Sequence, residues 1–258
     1  PTSAFQAQTL NVVLTGANFI SGVTTVDFGG DVTINTTTIN SATQITANIS
    51  VSANAVVGSR NVAVSNPAPG GGTATLTNGF TINYNAPTLT NVVPNNGNRV
   101  QTLDVTLTGS NFISSVTTID FGADITINSV TVNSATSLVA NITIAQSAIT
   151  GLRNVSVTNP APGGGTATLN NGFAVNNPAP VLSIVDPNAG SRSETIDVVL
   201  TGENFLQNIT TVSFGSGITV NAITVNSPTQ LTANVAIASN ATLGFRNVAV
   251  TNPAPGGG

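Results

Sequence analysis

Apolar Leu103, Val105 and Leu107 alternate with Thr102, Asp104, Thr106 and Thr108, the period-two pattern of a strand with one buried face. The pattern returns in Leu138-Val139-Ala140-Asn141-Ile142-Thr143-Ile144 and in Val155-Ser156-Val157-Thr158. No stretch carries helical periodicity. β-Branched residues dominate, and Gly, Asn and Pro punctuate them at the short spacing of a β-sandwich. For residues 86–178 this predicts seven strands: 86–93, 101–109, 115–121, 124–133, 136–144, 152–158 and 165–175. Asn159-Pro160-Ala161-Pro162-Gly163-Gly164-Gly165 then connects the last two, with Pro fixing φ and Gly supplying the turn torsions. Three successive glycines could instead cradle a phosphate, but no helix follows and the chain has no Lys.

The strand pattern is one period of a longer repeat. Leu-Thr-Gly ends at Gly16, Gly109 and Gly202, Phe-Gly begins at Phe28, Phe121 and Phe214, and Asn-Pro-Ala-Pro-Gly-Gly-Gly begins at Asn66, Asn159 and Asn252, each set 93 residues apart. The chain is therefore a tandem array: 1–85 is a first repeat lacking its first strand, 86–178 a second, and 179–258 a third lacking its last strand. Three full periods would need 279 residues, 21 more than the chain has. Either a longer array has been cut, or neighbouring chains complete the open units. The first is favoured, because neither end carries a spare strand to donate.

The succession Val-Thr-Leu-Thr-Gly-Ser-Asn-Phe (105–112), Val-Thr-Thr-Ile-Asp-Phe-Gly (116–122), Asn-Val-Ser-Val-Thr-Asn-Pro (154–160) and Gly-Thr-Ala-Thr-Leu-Asn-Asn-Gly-Phe-Ala-Val (165–175) resembles the IPT/TIG immunoglobulin-like domain. The resemblance implies a seven-stranded sandwich. It implies little about activity, since such domains serve as spacers in surface proteins, as modules beside carbohydrate enzymes and as dimerisation domains of transcription factors. The repeats are poorer in charge than that family usually is, which argues against an intracellular regulatory role.

Only 5% of the 258 residues are charged, against about a quarter in ordinary domains. All five basic residues are Arg, at 60, 99, 153, 192 and 246, and the net charge is −4. Scattered cations of this number do not bind a phosphate backbone, so nucleic acid is not an expected partner. Cys, His, Met, Trp and Lys are all absent, which removes disulfides, thiol and imidazole catalysis and sites for zinc, haem or copper. No run of apolar residues is long enough to span a bilayer.

Each remaining candidate has a bland alternative. Phe112, Phe121 and Phe173, with copies Phe19, Phe205, Phe28, Phe214 and Phe80, could stack on sugar rings, but their fixed places beside Gly fit anchors of a sandwich core. Arg60, Arg153 and Arg246 share one position, each followed by Asn-Val; loop-carbonyl capping or pairing with an acid is favoured over an inter-subunit ion pair or a contact with an anionic glycan. Asp27 and Asp31, repeated as Asp120 and Asp124, could share a Ca²⁺, yet the third copy has Ser213 and Gly217. No cofactor is therefore expected beyond weak Ca²⁺ candidates, and no enzymatic activity. Asn-x-Ser/Thr sequons at Asn35, Asn48, Asn141, Asn154, Asn208 and Asn240 are expected to face solvent, where covalent glycan could be attached.

A tandem array is a long object. Its joints, Asn83-Tyr84-Asn85-Ala86-Pro87 and Asn176-Asn177-Pro178-Ala179-Pro180, are short and stiffened by proline. The sequence thus reads as a structural, glycosylated repeat protein of a prokaryotic cell surface or the extracellular space, a rod, stalk or filament associating with further copies of itself. The alternative is an adhesin or a carbohydrate-binding accessory module.

Overall fold

A computed structural model describes all 258 residues, and it contains strands and turns but no helix. The first repeat carries β1 (Ser3–Phe5), β2 (Thr9–Thr15), β3 (Thr25–Asp27), β4 (Val32–Ser41), β5 (Gln44–Val51), β6 (Gly58–Asn66) and β7 (Gly72–Asn83). The second carries β8 (Thr88–Val93), β9 (Asn96–Asn98), β10 (Thr102–Ser110), β11 (Thr118–Asp120), β12 (Ile125–Ser134), β13 (Ser137–Ile144), β14 (Gly151–Asn159) and β15 (Gly165–Asn176). The third carries β16 (Val181–Asp186), β17 (Thr195–Glu203), β18 (Thr211–Ser213), β19 (Ile218–Ser227), β20 (Gln230–Ile237) and β21 (Ala249–Thr251).

In the second repeat one sheet has the order β12-β13-β10-β8 and the other β11-β14-β15-β9. The alternation read from the sequence becomes the core: Leu138, Ala140, Ile142 and Ile144 of β13 and Val105 and Leu107 of β10 are buried against Val155, Val157, Phe173 and Val175 of the other sheet. The Phe121 and Phe173 rings meet edge to face at 5.2 Å, as Phe28 and Phe80 do at 5.1 Å, a geometry the ring quadrupoles favour. Each of three hydrophobic clusters draws on residues of a single repeat. The third repeat pairs β16-β17-β20-β19 and β18-β21.

Two local features differ from the expectation. First, Asn96-Gly97-Asn98 forms β9, parallel to β15. No alternation can announce three residues of types depleted in strands. The segment fits because Gly97 passes under Ile144 and Phe173, where a Cβ would lie 2.7 Å from Ile144 Cδ1. Second, the strand read over 115–121 shortens to Thr118–Asp120, because residues 113–117 close a turn in which the Thr117 hydroxyl accepts from the Ile113 N–H at 2.8 Å.

The Leu-Thr-Gly motif has a steric cause. A Cβ on Gly109 would sit 1.9 Å from the Thr88 carbonyl oxygen, and one on Gly202 would sit 1.9 Å from that of Val181. Glycine lets β8 and β16 close onto the sheet beside a register shift.

Candidate functional site at the joints between repeats

The Asn-Pro-Ala-Pro-Gly-Gly-Gly loop is more than a turn: it holds the linker that leads into its own repeat. At the first joint the Tyr84 N–H donates to Pro162 O at 3.0 Å and the Gly164 N–H donates to Tyr84 O at 2.8 Å. A Cβ on Gly164 would lie 2.3 Å from Asn159 O, so only glycine lets the loop fold back this tightly. Asn159, 1% exposed, donates from Nδ2 to Asn85 O at 2.9 Å and to Asn111 O at 2.8 Å, while its Oδ1 accepts from Thr117 Oγ1 at 2.7 Å. Asn111 in turn donates to Ala86 O at 2.7 Å, and Asn85 reaches back to Gln6 O of the first repeat at 3.2 Å. A buried amide with all of these partners present costs no desolvation penalty.

The second joint repeats the design. Asn252 donates to Pro178 O and Asn204 O and accepts from Thr210 Oγ1. The Asn177 N–H donates to Pro255 O, the Gly257 N–H donates to Asn177 O, and Asn204 donates to Ala179 O. In the first repeat Asn66 keeps the bonds to Thr24 and Asn18 O. An apolar position tracks the same contrast: Ile20 is 49% exposed, Ile113 half-buried and Leu206 1% exposed.

Sequence reasoning read Asn159 and Asn252 as turn residues and missed Thr117 and Thr210. The only available signal was the recurrence of Thr 42 positions before each of these Asn residues. The recurrent Arg residues reach loop carbonyls. Arg153 donates to the carbonyls of Ala123 and Ile149, Arg246 to those of Ser216 and Thr242, and Arg60 to Val56 O and to Asp31 Oδ2 at 3.1 Å. Arg99 and Arg192, not singled out beforehand, donate from Nε to Ala148 O and Ala241 O, and in the first repeat Gln6 makes the equivalent bond to Ala55 O. All five Arg therefore fasten one loop, that following β5, β13 or β20.

The carboxylates build turns. Asp27 Oδ1 and Asp120 Oδ1 accept from the N–H groups of Gly29 and Gly122, a role Ser213 Oγ fills for Gly215. Asp31, Asp124 and Gly217 all have φ between 64° and 78°, a region Asp and Gly tolerate. No group of three or more His, Cys, Asp or Glu side chains comes together to hold a metal ion. Phe28, Phe121 and Phe214 are buried in the sandwich cores, and Phe214 also lines a cleft of about 390 Å³ with Ile196, Val235 and Ile237.

Of the sequon residues, Asn35, Asn154, Asn208 and Asn240 are exposed. Asn48 and Asn141 lie half-buried on the outer face in amide ladders that cross the sheet: Asn35 donates to Asn48 and Asn48 to Asn11, while Asn128 donates to Asn141 and Asn141 to Asp104. Neighbouring strands bring these side chains together, which intra-strand alternation does not reveal.

No known family model matches the chain, and no curated protein matches it. Solved structures similar to it include the plexin A4 extracellular region, 19% identical over 95% of this chain with a TM-score of 0.32, of which it spans one fifth (20%). The Escherichia coli adhesin FdeC is 17% identical over 99% of this chain and 90% of its own, with a TM-score of 0.29. The ICAM-5 D1–D4 ectodomain fragment is 14% identical over 98% of this chain and 73% of its own, with a TM-score of 0.39. None of these superpositions reaches 0.5. The class is set by the chain's own sheets: an all-β tandem array of immunoglobulin-like sandwiches.

Proposed function

We propose that the protein is a structural, non-enzymatic rod of the cell exterior, a stalk or filament subunit built from IPT/TIG-type repeats. The observation that carries this is the buried amide at each joint. Asn159 and Asn252 tie the linker backbone to the repeat that follows it, so neighbouring repeats cannot swivel without breaking buried hydrogen bonds. A load-bearing or distance-setting element needs this stiffness; an enzyme does not. The absence of His, Cys and Lys and the commitment of the recurrent Arg and Asp residues to loops and turns support the same reading. Glycan would be carried on Asn154, Asn208 and Asn240, which are exposed and whose Nδ2 groups donate to no protein acceptor.

Small-angle scattering on the wild type and on Asn159→Ala/Asn252→Ala tests the proposal. A rod gives a wild-type cross-section of one sandwich with a single well-defined maximum dimension, and the variant gives a broadened, shorter distribution. A wild type as flexible as the variant would refute it. Intact mass of native material tests the glycan.

A further inference from the structure

β4, β12 and β19 are the longest strands on the rim of any sheet here. Each has 10 residues and lies at the outer edge of its sheet, and none contains a charged residue. No backbone group in residues 32–41, 125–134 or 218–227 bonds outside the ladder to the neighbouring strand. In the second and third repeats the opposite edges are the shorter β8 and β16, of 6 residues each, with β8 lying against β15, whereas the first repeat presents β2, of 7 residues, at that place. Natural sheets usually guard a long edge with Lys, Pro or an inward charge. These edges carry only bulges, near Asn35, Asn128 and Asn221, and at the strand ends. Between the bulges runs an unbroken stretch: Thr36–Ile39, Ser129–Val132 and Ala222–Val225.

A second observation falls at the centre of that stretch. Val130 stands opposite Ala140, a fully buried core residue, and directly opposed residues share a face. Val130 therefore points to the core side, yet it is 37% exposed, because β11, its neighbour across the sandwich, has only three residues. Ile223 holds the same position opposite buried Ala233, and Thr37 opposite buried Ala47. A cleft of about 390 Å³ opens beside Ile223, between it and Gln207, Asn208 and Thr210. Each edge thus offers unpaired backbone groups beside a core-side position, exposed at Thr37 and Val130 and half-buried at Ile223.

We infer that copies of this chain associate side by side through these edges, β12 and its counterparts pairing antiparallel with the same strands of a second copy. The inference deepens the rod reading and rests on it. Like strands suit each other because neither bears charge, whereas β10 and β17 carry Asp104 and Asp197. Pairing would complete the ladder and cover Val130 with its mate. The bulges limit each contact to a few residues, so association draws its strength from several edges engaging at once.

Sedimentation velocity of the whole chain over a range of concentrations tests this. The wild type should show a faster species growing with concentration, and Thr37→Lys/Val130→Lys/Ile223→Lys should remain monomeric. The control Val13→Lys/Thr106→Lys/Val199→Lys adds the same charge to β2, β10 and β17, away from the three 10-residue edges, and should associate like the wild type. Val130→Thr/Ile223→Thr, which copies the residue tolerated at Thr37, keeps the fold safe and should weaken association. A wild type that stays monomeric, or edge and control variants that behave alike, overturns the inference. So does blocking by any unrelated extended peptide as effectively as by a β12 peptide. Scattering of the monomeric edge variant separates the two readings: an extended rod there leaves the rod proposal intact whatever association does.

Discussion

The two ends of the second repeat solve one problem with different chemistry. At the joint end, backbone carbonyls of Asn85 and Asn111 are satisfied by the neutral amide of Asn159, which is buried and whose Oδ1 and Nδ2 are all engaged. At the opposite end, carbonyls of Ala123, Ala148 and Ile149 are satisfied by Arg153 and Arg99, which are only partly buried. A guanidinium placed at the joint would need a carboxylate beside it to offset its desolvation; an amide needs only matched partners. The scarcity of charge is thus local in meaning: charge is kept where water still reaches it.

That contrast can be broken at the amide first. Asn159→Asp keeps the acceptor for Thr117 but points carboxylate oxygen at two carbonyls, and should cost about 4 kcal/mol or more. The amides of Tyr84 and Gly164 should then exchange hydrogen much faster; unchanged exchange would show that the joint is held by the loop alone. Asn159→Ala removes the partner without adding repulsion and should cost about 3 kcal/mol, seen as a lowered calorimetric transition. Asn66→Ala, which breaks only the bonds to Thr24 and Asn18, should cost measurably less, and equal losses would remove the distinction between the repeats.

At the charged end the effects should be smaller. Arg153→Met retains the apolar stem, leaves solvent-accessible carbonyls, and should cost about 1 kcal/mol. Arg99→Gln should fall within about 0.5 kcal/mol of wild type, because Gln6 already makes that bond in the first repeat; a larger loss would mean that the charge itself is used. Smallest is Asp31→Asn, which keeps a residue that tolerates the positive φ, breaks the ion pair with Arg60 and should cost less than about 0.5 kcal/mol, with the difference shrinking in salt.

The strands were legible because alternation along one segment suffices to place them: six of the seven predicted spans fall within a few residues of β8, β10, β12, β13, β14 and β15. Arg153 was legible as a recurrent position from its 93-residue spacing to Arg60 and Arg246. What stayed hidden shares one property. Thr117 and Asn159, Asn141 and Asp104, and Gln6 and Ala55 are pairs more than 35 residues apart, and no local pattern records which polar residue meets which. β9 was hidden for a related reason, since its pairing comes from β15 and not from its own composition.

By itself the sequence determined the repeat, its β class, its turns and the chemistries it lacks, because periodicity and residue inventory are properties of the chain alone. Only the tertiary structure decided that the Gly-rich loop clasps a linker, that the sequon residues Asn35, Asn48 and Asn141 are drawn into amide ladders, and that β4, β12 and β19 are left as open edges. Each of these depends on which residues the folded sandwich brings within hydrogen-bonding distance, and that distance is set by sheet register and layer packing.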